Sequence, residues 1–396
     1  MTLKNFKVLG ILLLLLAVFA VGGKKVSAAV EDGDVQYTIG VVVYNQNSPE
    51  MNMFMNYYRE YIQQGFPVKF YFSGSINSAE DEINFIRAMK LQGVSGIISF
   101  YGQDIQKIVE ACDEEEMYYV LGSGSISDED YDKVKTSPYF LGSVGPDAKA
   151  DYEAGYNMAD YFADADTSSY IVLEGLAEKE GLTYSEDVEK LASSEKTTVV
   201  DAGKDDVSIT ICPGYMTDPK GINNLKHAFV DRNYDAVLCT FNVDEIMKTI
   251  TSKEEEQGSN IKVGAVDCFS MENHDEINDN DSFGNPKIDY IAGKYASMGG
   301  PAFAILYNAM SGHPEANTDD ADSNTVRLYQ GFWSASDKDT FNELYGYTQD
   351  IYENAYSCAD LMKVIKAYST DTTPDDLKAL TEAYTVEDVQ KRIEEN

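Results

Sequence analysis

The sequence predicts an α/β protein in which two doubly wound parallel-sheet lobes are joined by a hinge and followed by a helical C-terminal extension. Three observations predict it. Short apolar, β-rich runs alternate with longer segments of helical period; the alternation breaks at a turn-rich stretch and restarts on the same plan; and the residues from 331 onward read as one helix after another. A chain of 396 residues with 43% hydrophobic and 12% aromatic content has material for two cores.

In the first lobe, "YTIGVVVY" (Tyr37 to Tyr44) is followed by a segment to about Gln64, then by "VKFYFS". A helix from Ala79 to Gln92 repeats Ile83, Ile86 and Met89 near helical spacing and leads to "VSGIISF"; a second, Asp104 to Glu116, leads to "MYYVLGS". Continuous apolar strands separated by helices imply a parallel sheet covered on both faces. The stretch "SISDEDYDKVKTSPYFLGSVGPD" reads as turns and delivers the chain to a helix from about Asp151 to Phe162. The second lobe then runs "SYIVLEG", a polar helical segment, "DVSITIC", a helix from Gly221 to Asn233, "DAVLCTF", a helix from Glu245, "IKVGAVD", and "KIDYIAG" before "KYASMGGPAFAILYNAMSG". No repeat at a solenoid period is visible, so the duplication is architectural.

These runs place the first lobe at 36–146 plus about 294–330, the second at 147–293, and the extension at 331–396. The extension is expected to pack against the second lobe. Within it, Thr373-Pro374-Asp375-Asp376 has the N-cap threonine, first-turn proline and first-turn acids of a helix start, and Thr385 opens another helix.

The amino terminus, with Lys4 and Lys7 before an apolar run from Val8 to about Val21 and Val26-Ser27-Ala28 before an acidic segment, has the layout of a secretory signal over residues 1–28. The run is shorter than a spanning helix wants, and an uncleaved anchor is the alternative. The expected location is therefore outside the cytoplasmic membrane, in the periplasm or cell envelope. No cysteine lies near the junction to carry a lipid.

With 31 basic against 67 acidic residues, a formal charge of −36 repels nucleic acid and anionic membrane surfaces. Cys112, Cys212, Cys239, Cys268 and Cys358 are widely spaced and odd in number, without CxxC spacing, and read as small buried residues. His227, His274 and His313 have neither triad-like nor HExxH surroundings. The acid-rich "NDNDSFGN" (Asn278 to Asn285) has its glycine out of register for a calcium loop and reads as a surface loop. No metal, cofactor or catalytic residue is expected.

In a parallel α/β sheet, ligands bind where loops leave the carboxyl ends of the strands. Polar residues recur there in both halves: Asn45 and Asn47 after the first strand, Tyr101 after "VSGIISF", Ser123 after "MYYVLGS", Asn242 and Asp244 after "DAVLCTF", and Asp267 after "VGAV". Singly, Asn47 suits a turn and Asp244 a helix cap. Asp267 is harder to assign to structure alone, since an acid at the exit of an apolar strand needs a partner.

In order and motif the stretch from Tyr37 to Trp333 resembles type I periplasmic binding proteins, the ribose- and galactose-binding group related to LacI-type ligand domains. "IGVVVY" with its polar loop, "INFIRAMKLQGVSGIISFYGQD", "GSVGPDAKADYEAGYNMADYF", "YDAVLCTFNVDEI", "KVGAVD" and "YIAGKYASMGGPAFAIL" carry the likeness. The resemblance implies that Asp267 accepts hydrogen bonds from ligand hydroxyls, that Asn242 donates and accepts with Asp244 sharing or replacing its role, and that Tyr215 stacks on a sugar. Lys294 stands where the family often has glutamine at the hinge, and answers an acidic group or pairs with Asp267. It further implies a monomer that captures a small polar solute, most often a sugar, for an ABC permease complex. Alternatives are a sensing module that presents its closed form to a receptor, and an exported hydrolase using carboxylates.

Overall fold

The computed structural model describes residues 35–164, 167–173, 208–212, 219–239, 242–320, 323–349 and 354–395. The expected signal over residues 1–28 lies outside them. Among the described residues, no helix is long and apolar enough to cross a membrane.

The first lobe is built from β1 (Tyr37–Val43), α1 (Pro49–Asn56), β2 (Val68–Ser75), α2 (Ala79–Leu91), β3 (Gly96–Ser99), α3 (Ile105–Glu115), β4 (Tyr118–Gly122), α4 (Asp128–Val134) and β5 (Phe140–Gly145). The second contains α5 (Ala148–Asp164), β6 (Ser169–Leu173), β7 (Ser208–Cys212), α6 (Pro219–Asp231), β8 (Ala236–Cys239), α7 (Val243–Gln257), β9 (Lys262–Cys268), α8 (Met271–Asn278) and β10 (Tyr290–Lys294). The chain then runs through α9 (Gly300–Met310), β11 (Val326–Tyr329), β12 (Trp333–Ala335), α10 (Lys338–Gln349), α11 (Cys358–Val364), α12 (Pro374–Glu382) and α13 (Val386–Glu395).

Two six-stranded sheets result, ordered β2-β1-β3-β4-β5-β11 and β7-β6-β8-β9-β10-β12. The same winding has been used twice, each time completed by a strand made late in the chain. The first sheet is wholly parallel, whereas β12 joins the second antiparallel to β10, with Ile291 opposite Ala335. The fold is the expected pair of doubly wound lobes, and the strand cores are sealed on both faces: Ile39, Val41, Val42 and Val43 in β1 are all fully buried.

Four elements depart from the sequence reading. The stretch read as turns holds both α4 and β5; β11 and β12 each span four residues or fewer and carry little apolar signal. β5 is hidden because Gly142 and Gly145, both at positive φ, interrupt its apolar run.

The lobes are joined where the chain passes from β5 to α5, from β10 to α9, and from β11 to β12. Tyr295, on the second passage, stacks on Trp333, which opens β12 at the end of the third, with ring centroids 3.8 Å apart and nearly parallel. The extension braces the same region. The Trp333 indole N–H donates to the Tyr384 carbonyl at 2.8 Å, and the Gln330 amide donates to the Tyr356 hydroxyl at 3.1 Å. α10 packs on α8 and β12 of the second lobe, while α11 contacts α9 and α12 contacts β11 in the first. The extension packs on the second lobe, as expected, and also on the first. Apolar side chains reach inward from every part of it, because Leu361, Leu377 and Val389 join a core continuous with those of both sheets.

None of the five cysteines is in a disulfide; four are buried and Cys358 is half-buried. Burial pushes the Cys112 and Cys268 thiols well above their ordinary range and Cys358 up to about 12, so they behave as packing residues. In the acidic loop, the Asp281 carboxylate accepts from the Phe283 and Asn285 amides, so the turn satisfies it internally.

Candidate binding cleft between the lobes

The site is assembled from the carboxyl ends of the central strands. At the exit of β1 the chain turns at once: the Asn47 amide donates to Asn45 Oδ1 at 3.1 Å, and Ser48 caps α1 by accepting from the Met51 amide. Asn45 and Asn47 thus shape the loop that aims the first turn of α1, and the side chain this turn presents is Glu50. Glu50 Oε2 accepts from the Tyr44 hydroxyl at 3.3 Å, and Oε1 receives Lys294 Nζ at 2.9 Å.

Lys294 ends β10, in the other sheet, so the ion pair spans the two lobes beside the hinge. Burial lowers the Lys294 ammonium, but Glu50 outweighs it and the pKa is raised. On sequence Lys294 was expected to answer an acidic group of the ligand or to pair with Asp267; in the structure its partner is Glu50, which was neither. That residue was not foreseen: "PE" after a serine reads as ordinary helix-start chemistry, and its partner lies 244 positions away.

Asp267 is held at the end of β9, where Gly293 lies opposite in β10. A Cβ at Gly293 would lie 2.0 Å from the Asp267 carbonyl oxygen, so glycine is what allows the two strand ends to approach this closely. Asp267 Oδ2 accepts from the Val243 amide at 2.9 Å. This bond caps α7 from a neighbouring strand. The helix has no cap of its own, since Asn242 occupies the cap position in the left-handed region at φ 59° and its side chain makes no capping bond. Asp244 stands in the first turn, where the backbone amides of Glu245 and of Asp244 itself favour its charged form.

Two carboxylates are therefore side by side. Burial raises the Asp267 pKa, with the Val243 amide acting against it. Burial and the neighbouring Asp267 together push Asp244 up from 3.8 to about 6. Asp244 Oδ1 is buried and has no hydrogen-bond partner among the described residues. Such an oxygen is costly unless a donor reaches it. Helix α7 partly offsets the charge, since carboxylates at a helix N-terminus face its positive end.

The structure thus joins Asp244, Asp267 and Lys294 with Glu50 and Tyr44. Tyr101 makes local bonds: its hydroxyl donates to Gln103 and its amide to Ser99 Oγ. Ser123 is buried at φ 54° at the end of β4, against the first passage between lobes, where a Cβ on Gly145 would lie 2.4 Å from its carbonyl carbon. Tyr215 lies outside the described residues. None of the described groups of three or more acidic, histidine or cysteine side chains is arranged to hold a metal. His274 stacks on Tyr345 at 4.4 Å, and His313 faces Glu315.

Compared with solved structures, the chain is similar to a Mycobacterium smegmatis protein in complex with β-D-fucofuranose, at 15% identity and a TM-score of 0.56, covering 84% of this chain and 98% of that one. The chain has the type I periplasmic binding protein fold. The periplasmic binding protein component of an arabinose ABC transporter from a Shewanella species shares this fold at 14% identity and a TM-score of 0.54, over 79% and 95% of the two chains. A Bacillus halodurans ABC transporter solute-binding protein with bound myo-inositol does so at 14% identity and 0.56, over 80% and 99%. No family model and no curated protein sequence matches the chain. In this chain the Asp244–Asp267 pair and Lys294 lie at the carboxyl ends of β8, β9 and β10, and Glu50 meets Lys294 from the first lobe.

Proposed function

We propose that the protein captures a small polar solute, a sugar or sugar derivative, in the cleft between its lobes outside the cytoplasmic membrane, and presents it to an ABC permease complex. The observation that carries this reading is the buried, unpartnered Asp244 Oδ1 beside Asp267. Adjacent carboxylate acceptors of this kind suit vicinal hydroxyls, which supply donors without adding charge. The sugar-bound neighbours of the same fold support the choice of ligand class. Capture needs only closure over the ligand. Asn242 and Tyr215 are assigned to the ligand with Asp244 and Asp267, and Asn45, Asn47, Tyr101 and Ser123 to the opposite wall.

A thermal-shift screen of the purified chain against neutral sugars, sugar acids, nucleosides and amino acids tests the reading. A true ligand at about 100 times its dissociation constant stabilises by about 2.7 kcal/mol. Stabilisation by amino acids or nucleosides alone would overturn the sugar assignment, and turnover of the ligand would overturn binding as the function.

Two further results are expected once a ligand is known. Asp267→Asn keeps an oxygen for the Val243 amide but removes the charge, so affinity falls by about 1.5–3 kcal/mol while the melting temperature is nearly retained. Calorimetry of both proteins decides this. Ligand hydroxyls donating to Asp244 favour its charged form and pull its pKa down from about 6. Binding therefore releases a proton near pH 6, and affinity rises with pH through that window. Titrations in buffers of different ionisation enthalpy measure the proton directly.

A further inference from the structure

A cavity of about 440 Å³ opens between α1 of the first lobe and α8 of the second. None of the residues predicted for the sugar site lines it. One wall is α1 and the wide turn that continues it, with Met53, Tyr57 and Tyr61; the other is the β9 exit and α8, with Phe269 and Met271; Tyr345 of α10 closes one side. The volume is that of a small-molecule site.

Its chemistry is specific. Tyr57 and Tyr61 stack at 5.4 Å, and their hydroxyls are committed to backbone, Tyr57 donating to the Tyr356 carbonyl and Tyr61 accepting from the Cys358 amide. What these residues have left to offer is ring. The cavity carries two carboxylates, Glu60 and Glu272, and no lysine, arginine or histidine. Neither carboxylate has an ion-pair partner among the described residues. Arg59, next to Glu60 in sequence, reaches Asn56 and lies over the Phe72 ring at 4.9 Å. Aromatic rings with uncompensated carboxylates attract a cation with an apolar surface, through the ring quadrupoles and the net negative charge together. An anion is repelled there, and a bare metal ion meets too few oxygens arranged to coordinate it.

We infer that this cavity is a second binding site, for a compact organic ammonium ion. Its occupant touches α1, α8 and the C-terminal extension at once, and so holds the two lobes in the arrangement seen. The site does not rest on the sugar reading, because none of its residues is shared with Asp244 or Asp267.

Choline is the probe, and 3,3-dimethyl-1-butanol, its uncharged isostere, is the control. Calorimetric titration of the full chain at constant ionic strength is expected to show saturable one-to-one binding of choline, with the neutral isostere weaker by roughly tenfold or more. The Glu60→Gln/Glu272→Gln double variant, whose substitutions lie at the surface of the cavity and leave the melt unchanged, is expected to weaken choline by a similar factor. Asp267→Asn is expected to leave it unaltered. Absence of saturable binding, equal binding of the isostere, or unchanged binding in a folded double variant would each overturn the inference. A choline affinity lost in Asp267→Asn would move the occupant into the sugar cleft.

Discussion

Gly142→Ala is expected to unseat β11 and destabilise the protein by roughly 2–6 kcal/mol, the sum of a strained backbone and an overpacked contact. Gly142 sits in β5 at φ 118°, where side-chain-bearing residues are rarely found, and it pairs with Val326 of β11. A Cβ there would lie 1.7 Å from the Val326 carbonyl oxygen, which is backbone and cannot rotate aside. β11 must move or detach, and with it the passage to β12. Gly258→Ala is the internal control, since Gly258 closes α7 at φ 72° with open space where the Cβ would go. It should cost only the left-handed strain, about 1 kcal/mol. Urea unfolding of the two variants separates the contributions, and equal losses would show that the clash with β11 is relieved without cost.

Glu82→Gln is expected to stabilise the protein by up to about 3 kcal/mol at pH 8 and to have no stabilising effect near pH 4. Glu82 is fully buried, accepting from the Tyr119 hydroxyl at 3.0 Å while its second oxygen has no partner among the described residues. Burial raises its pKa from 4.5 to about 7, against the opposing influence of the Ser99 and Tyr119 hydroxyls. The Cys112 thiol and Tyr101 phenol also face it, both neutral in this range and each raised by burial first and by Glu82 next. Because the folded pKa exceeds the unfolded one, the stability this group supports is complete below about 4.5 and is lost as pH rises through about 7. Glutamine never ionises, so the loss does not occur. Melting temperatures from pH 4 to pH 8 should diverge between wild type and variant, and parallel curves would show that Glu82 ionises without penalty. Asp244 and Asp289, each raised to about 6 by burial first, titrate in the same window in both proteins and cancel in the difference.

The architecture was legible where strands were long and apolar. β1 and β9 announce themselves because parallel strands covered on both faces admit almost no polar side chains, and the helices between them carry their caps in sequence, as Ser78 does for α2 and Thr373 for α12. β5 was not legible, since its two glycines serve strand proximity and interrupt the apolar run. In the site, Asp267 was visible as an acid at a strand exit, but not its bond to the Val243 amide, which depends on β8 and β9 lying side by side. Glu50 was invisible for the same reason on a longer scale. Local pattern reports which side chains reach the sheet edge, while their pairing is decided by which strands the winding makes neighbours.

The late strand of the first sheet has a consequence for the order in which the chain can fold. β5 is synthesised before any of the second lobe, yet its outer neighbour β11 comes after all of β6 to β10, as does α9, which covers β3, β4 and β5. A nascent chain therefore carries the first half with one sheet edge unpaired and one face uncovered until residue 329 has emerged. The lobe that begins first stays open until nearly all of the second has been made.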